Sequence, residues 1–114
     1  MKNIFHPLVE NPYRKKDIDA AVKVLKTNKI TIGPITNKFE NIFRKKLKTN
    51  FSLMVNSGSS ANLLALQCLI NPYRKQRLKR GDEVLIPSLC WSTSLWPIIQ
   101  SGLITTFVDV AVTT

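Results

Sequence analysis

At 114 residues, of which 44% are hydrophobic, the chain has the length of one small domain or of part of a larger one, with enough apolar side chains for a packed core. This composition excludes a disordered tail. The net charge of +10, from 17 Lys and Arg against 7 Asp and Glu, is compatible with an anionic partner such as a nucleic acid, an anionic lipid or a phosphorylated small molecule.

The basic residues fall into three clusters, each where a helix end or a linker should meet solvent: residues 14–16, 44–48 and 74–80. No basic motif with interleaved aromatic residues accompanies them. A solvated surface is therefore favoured over a nucleic-acid site, and a basic module that binds nucleotides or RNA stays as an alternative.

Cysteine and histidine are scarce. Cys68, Cys90 and the single His6 show no metal-ligand spacing, so we expect neither a disulfide framework nor a metal site, and His6 is expected at the surface. The first 16 residues lack the apolar centre of a signal peptide, and no run approaches the roughly 18 apolar residues of a membrane span. These features predict a soluble protein of a reducing cytoplasm, without a membrane partner.

Two amphipathic helices are predicted before residue 50. The first begins at Asp17, places apolar residues on one face up to Leu25, and ends within residues 26–29. Residues 30–34 (ITIGP) predict a short extended segment that is broken by its Gly-Pro pair. The second helix has a basic outer face and an apolar stripe at Phe39, Ile42, Phe43 and Leu47.

From residue 51 onward, strands and helices alternate. Pro97 is best tolerated in the first turn of a helix, so a helix that begins at Ser92 would place it unusually deep. The predicted elements are a strand at 51–55, a helix at 60–70 that is apolar nearly all round and therefore buried, a basic connection at 71–80, a strand at 84–86, a helix from Ser92 or Thr93 to Gly102, and a strand at 103–110.

This alternation predicts an α/β unit with at least partly parallel strands. In such sheets, ligands bind at the carboxyl ends of the strands. Residues 56–60 and 87–93 each follow a predicted strand, so we expect both loops to open onto the same edge of the sheet.

The first of these loops has more hydrogen-bond donors than a helix start needs. Gly58, Ser59 and Ser60 offer backbone amides and hydroxyl groups at a helix N-terminus, which suits a phosphate, although an ordinary capped turn is an equal alternative. In the second loop, Trp91 lies where an indole can stack on a flat ligand, whereas Trp96 is expected in the core. The two loops together predict a site for a phosphorylated, flat ligand.

The segments VNSGSSANLLAL, GDEVLIPSLCWSTSLWPIIQSGL and FVDV, with GPITNKFE before them, resemble the DegT/StrS family of sugar-nucleotide aminotransferases. The resemblance implies a fold-type I enzyme dependent on pyridoxal 5'-phosphate (PLP). It implies the incomplete N-terminal portion of the large α/β domain, which is a mainly parallel sheet with flanking helices. On this interpretation, residues 1–50 are an N-terminal helical segment and residues 51–114 begin the PLP-binding domain.

The resemblance also assigns cofactor contacts. Gly58 and Ser59 match the family's phosphate-binding pair, Trp91 matches the aromatic residue that stacks on the pyridine ring, and Ser57 and Ser60 are weaker candidates. No catalytic residue is assigned, because the family's lysine and its acidic pyridinium partner come later in the chain. Asp109 is expected to be structural.

The resemblance implies an enzyme that acts on keto-deoxysugars linked to nucleotides, uses an amino donor and forms a homodimer, in the biosynthesis of surface polysaccharides. The segment NSGSSANLLAL and the long connection NPYRKQRLKRGDEV are particularly similar to a branch that includes the CDP-4-keto-6-deoxyglucose 3-dehydratases, in which histidine replaces the lysine. Transamination and dehydration therefore both stay open. Because the sequence after FVDV departs from the family pattern, we expect a truncated or frameshifted fragment that is inactive alone. A degenerate remnant without activity is a further alternative.

Overall fold

A computed structural model describes residue 9 and residues 11–111 of the chain. The chain divides into two compact units, residues 1–54 and residues 55–114, which are described separately. The first unit contains the helices α1 (Lys15–Leu25) and α2 (Pro34–Leu47), and the second contains α3 (Gly58–Ile70), β1 (Glu83–Pro87), α4 (Ser92–Gln100) and β2 (Ile104–Val108).

Helix α1 begins two residues before its predicted start. Asp17 lies in the first turn instead, where its carboxylate accepts hydrogen bonds from the backbone N–H of Arg14 at 3.0 Å and from the Arg14 guanidinium at 3.2 Å. A carboxylate in this position also interacts favourably with the positive end of the helix dipole. The sequence therefore identifies Asp17 as the polar residue that stabilises the helix start, but it does not identify the residue at which the helix begins.

Helix α2 begins at Pro34 because proline has the backbone angle that a first helical residue needs and no N–H to leave unpaired. It ends at Leu47, and the C-cap residue Lys48 adopts a left-handed conformation with φ of 55°. The Phe39 and Phe43 rings stack one turn apart, with centroids 5.5 Å apart. The prediction of an extended segment at residues 30–34 is wrong, because the backbone bends at Thr31 and Ile32.

The strand predicted at residues 51–55 is also wrong. The structure gives this segment no regular secondary structure, and Phe51 is 89% exposed. Two side chains of the first unit hold this segment: Thr49 Oγ1 donates to the Phe51 carbonyl at 3.0 Å, and the Met54 N–H donates to Glu40 Oε1 at 2.7 Å. A strand needs a neighbour that continues its hydrogen-bond ladder, and the two-stranded sheet of the described region does not extend to this segment.

The second unit contains a β1–α4–β2 arrangement, which confirms the predicted α/β class with parallel pairing. The two strands pair in register from Glu83 opposite Ile104 to Pro87 opposite Val108. The core lies between α4 and the sheet, where Ile86, Ile98 and Leu103 are buried, and five half-buried apolar residues pack around them: Leu66, Ile70, Leu78, Val84 and Leu95.

Helix α3 begins two residues earlier than predicted, and its predicted burial is wrong. No α3 residue is fully buried, and Leu64 and Leu69 are exposed. The reason is that α3 packs along one side only, against α4, while Leu66 and Ile70 reach the core cluster. The apolar residues on its other sides therefore face solvent within this unit.

Helix α4 runs from Ser92, so Pro97 is its sixth residue and lies inside the helix. Gly102 follows with φ of 71°, a left-handed conformation in which glycine is unstrained. This glycine lets the chain turn from α4 directly into β2. None of the helices in the described part of the chain has the length and hydrophobicity of a transmembrane span.

Candidate functional site

The start of α3 has an internal cap formed by two of the predicted site residues. Ser57 is the N-cap, and its hydroxyl oxygen accepts a hydrogen bond from the Ser60 N–H at 3.1 Å. The Ser57 hydroxyl donates in turn to Ser60 Oγ, also at 3.1 Å. Ser57 and Ser60 therefore act as an ordinary helix cap, which is the alternative that the sequence left open for this turn.

The cap leaves two amides of the first turn available. Within the described part of the chain, the N–H groups of Gly58 and Ser59 have no recorded acceptor, and both residues are exposed. A Cβ atom placed on Gly58 would meet no other atom within 4 Å. The space in front of this turn is therefore open, and the two amides and the positive end of the helix dipole face it, as in sites that bind anions.

Helices α3 and α4 lie side by side and run in the same direction. Asn62, early in α3, donates from its side-chain amide to the Thr93 carbonyl, early in α4, at 3.5 Å. Near the other end, Gln67 Nε2 donates to Ser101 Oγ at 3.2 Å. The two helix N-termini therefore lie at the same end of the unit, beyond the carboxyl end of β1, where parallel sheets bind ligands.

Trp91 is the residue immediately before α4, at this same end. It is the N-cap residue in an extended conformation, and its carbonyl accepts from the Ser94 N–H at 2.8 Å. Its side chain is 72% exposed. The indole is thus available to a ligand, and the parallel packing of α3 and α4 brings Trp91 to the same end of the unit as Gly58.

A groove of about 400 Å³ runs between α3 and α4. It contains Trp96, which is 54% exposed, so the prediction that Trp96 lies in the core is wrong. The inward face of α4 is occupied by Leu95 and Ile98 instead. Ser59, Ser60 and Leu63 line the α3 side of the groove, and Thr93, Trp96, Pro97 and Gln100 line the α4 side.

Sequence reasoning missed Asn62 and Thr93, which join the two helix ends. A signal was present in the sequence, because Pro97 stands four residues after Thr93 and cannot donate a hydrogen bond to its carbonyl.

Asp109 follows β2, and its carboxylate accepts a hydrogen bond from the Val110 N–H at 2.8 Å. His6 lies outside the described residues. Across residue 9 and residues 11–111, no three His, Cys, Asp or Glu side chains form a group that could hold a metal ion.

Comparison with known proteins identifies one family. The sequence model of the DegT/DnrJ/EryC1/StrS aminotransferase family matches residues 12–114. A GDP-4-keto-6-deoxy-D-mannose 3-dehydratase from Yersinia pseudotuberculosis is 36% identical over 91% of this chain. A UDP-4-amino-4-deoxy-L-arabinose–oxoglutarate aminotransferase from Shewanella sediminis is 31% identical over 96% of it.

A solved structure gives the same result in three dimensions. The E. coli GDP-4-keto-6-deoxy-D-mannose-3-dehydratase with bound hydrated PLP is 36% identical and superposes over 95% of this chain with a TM-score of 0.81. The predicted fold, a portion of a fold-type I PLP-dependent transferase, is thereby confirmed. The chain spans about a quarter of these relatives: 26% of the Yersinia and Shewanella proteins and 28% of the E. coli chain.

Proposed function

We propose, from the premise that the chain belongs to the DegT/DnrJ/EryC1/StrS aminotransferase family, that it supplies cofactor contacts to an enzyme acting on nucleotide-linked keto-deoxysugars. The cofactor is PLP or its amino form, and residues 51–114 are the start of the domain that binds it. The relatives' names and the PLP of the E. coli structure support this proposal.

One observation carries the proposal. The parallel packing of α3 and α4 places the open amides of Gly58 and Ser59 at the same end of the unit as the exposed indole of Trp91. A phosphate group and a flat ring on one ligand need these two kinds of partner close together. PLP has both parts, so the described residues fit it.

The residues have separate roles. The amides of Gly58 and Ser59 donate to the phosphate, the Ser57–Ser60 cap holds their turn in shape, and Trp91 covers one face of the ring. When bound, PLP supplies the electron sink for reactions at the carbon next to the substrate's carbonyl or amine. The contacts described here bind and orient the cofactor. This family uses a lysine or a histidine to move protons, and the motifs that this chain shares with the family do not include that residue.

Among the reactions of the family, dehydration at the sugar C3 is favoured over transamination. The dehydratases from Yersinia pseudotuberculosis and E. coli are 36% identical to this chain, against 31% for the Shewanella aminotransferase. Transamination of a nucleotide-linked keto-sugar is the second candidate. Assay of the polypeptide that carries this chain with GDP-4-keto-6-deoxymannose, PLP and glutamate separates the two, because dehydration yields a 3-deoxysugar and transamination yields an amino sugar.

We further propose that the enzyme works in the cytoplasm as a homodimer. Free, exposed Cys68 and Cys90 suit a reducing compartment. Helix α2 leaves its apolar side chains exposed, which is typical of a surface that another chain covers: Ile35, Phe39, Ile42, Phe43 and Leu47. Light scattering during size-exclusion chromatography tests the dimer directly.

The cofactor contacts are tested by titrating the purified chain with PLP, pyridoxal and inorganic phosphate. We expect PLP to bind more tightly than pyridoxal, because only PLP engages the amides of Gly58 and Ser59. Trp91→Ala and Ser59→Ala should weaken PLP binding. Tyr73→Ala is the matched control for the tryptophan, since Tyr73 is an exposed aromatic residue of the same unit, away from this end of α3 and α4.

Equal affinities for PLP and pyridoxal, or unchanged PLP binding by both variants, would remove the proposed roles. Salt-sensitive binding of RNA, together with no binding of PLP, would instead favour the alternative of a basic module that binds nucleotides or RNA.

A further inference from the structure

We propose that Asn62 is a positioning residue, which holds the first turn of α4, and with it Trp91, against the end of α3 that carries Gly58. The inference rests on the proposed function, because Gly58 and Trp91 are the cofactor contacts assigned there. No comparison assigns a role to Asn62.

The first step of the argument concerns Pro97. In a regular helix, the N–H of residue 97 would donate to the carbonyl of Thr93, four residues earlier. Proline has no N–H, so the Thr93 carbonyl lacks the donor that a regular helix would supply from residue 97. Pro97 is buried and Thr93 is half-buried. A carbonyl that loses its helical partner can be paired by a donor from another element.

The second step concerns the donor that replaces it. Asn62 Nδ2 donates to the Thr93 carbonyl at 3.5 Å, from 31 residues away in the sequence. Asn62 lies about one helical turn after Gly58, and Thr93 lies two residues after Trp91. A single side chain therefore satisfies the carbonyl that Pro97 leaves free and joins the two turns that carry the cofactor contacts.

The chain contains a matched comparison for this bond. Gln67 is also an exposed side-chain amide on α3, and it also donates to α4, through Ser101 Oγ at 3.2 Å. It acts near the opposite end of the helix pair. If Asn62 only added stability, Gln67 would be equivalent to it. If Asn62 positions Trp91, the two residues differ in their effect on PLP.

The test uses the chain in a Trp96→Phe background, in which Trp91 is the only tryptophan. PLP binding is followed by quenching of Trp91 fluorescence. We expect Asn62→Ala to raise the dissociation constant for PLP by about 3- to 10-fold, the factor that corresponds to one hydrogen bond, and to reduce the quenching at saturation. Gln67→Ala should leave both quantities unchanged.

Pro97→Ala provides a second readout, since alanine supplies the N–H that the Thr93 carbonyl lacks. In the Pro97→Ala background, Asn62→Ala should therefore weaken PLP binding less than it does when proline is present. Equal losses in the two backgrounds, or equal losses for Asn62→Ala and Gln67→Ala, would overturn the inference.

The test separates this inference from the proposed function. If the Trp96→Phe chain without a further substitution shows no quenching of Trp91 fluorescence by PLP, the proposed function fails, and the role of Asn62 is then decided by the time-resolved fluorescence anisotropy of Trp91 in that background. Asn62→Ala must increase the amplitude of fast indole motion, and Gln67→Ala must not. Without that difference, Asn62 does not position Trp91.

Discussion

Replacing Gly58 with alanine separates the stability of α3 from the proposed binding of PLP. Gly58 is the first residue of α3, outside the left-handed region, and a Cβ atom there would meet no atom of the chain within 4 Å. Alanine therefore fits without strain and restricts the unfolded chain, which stabilises a protein by about 0.4 to 1 kcal/mol. For a unit of this size, this corresponds to a melting temperature higher by about 2 to 8 °C.

The same methyl group should weaken PLP binding. It occupies the open space in front of the amides of Gly58 and Ser59, so a phosphate there must retreat from one or both donors. A hydrogen bond to a charged group contributes about 1.5 to 3 kcal/mol. Loss of one such bond raises the dissociation constant for PLP by about 10- to 100-fold.

The assay pairs thermal unfolding without ligand, followed by circular dichroism, with PLP titration at a fixed temperature. Gly81→Ala is the control. Gly81 has φ of 91° and open space around it, so alanine is strained there by its backbone alone. We expect this control to lower the melting temperature and to leave PLP binding unchanged. The reasoning about Gly58 is refuted if Gly58→Ala binds PLP as tightly as the unmutated chain, or if it lowers the melting temperature by several degrees.

Three further predictions concern the stability of the second unit, each measured by urea denaturation. Ser57→Ala removes the acceptor of the Ser60 N–H and should cost about 1 kcal/mol; an unchanged midpoint would show that the cap contributes nothing. Gly102→Ala should cost about 1 to 2 kcal/mol, because φ is 71° and the new Cβ would lie 3.2 Å from Arg80 Cγ; a neutral result would contradict the left-handed turn. Ile98→Ala empties the centre of a small core and should cost about 2 to 5 kcal/mol, with loss of near-ultraviolet circular dichroism; a loss below 1 kcal/mol would mean that the core lies elsewhere.

Local signals made the helices predictable. The apolar spacing of α1 and α2, the Gly-Pro pair at the start of α2 and the glycine after α4 each act within a few residues, so they are visible in the sequence. The predicted helix starts of α1 and α3 were two residues late, because Arg14 and Ser57 cap their helices from outside the apolar pattern. The family was also identifiable from ordered motifs alone.

Long-range contacts decided the remaining features. Residues 51–55 have the composition of a strand, but strand formation depends on a neighbouring ladder that the segment itself does not encode. Trp96 lines the groove because Leu95 and Ile98 occupy the side of α4 that faces the core. A sequence pattern shows that a helix has an apolar face, and only packing shows which residues that face buries.

The sequence by itself determined the chemistry that this protein offers: a small-residue turn at a helix start, an indole after a strand, and the family to which both belong. The tertiary structure decided that α3 and α4 run in the same direction, and it selected the amides of Gly58 and Ser59 as the donors that the cap leaves open. The common direction of α3 and α4 depends on hydrogen bonds and packing between residues about 30 positions apart, whereas the cap lies within residues 57–60. The long-range contacts follow from how the chain folds and cannot be derived from any one segment.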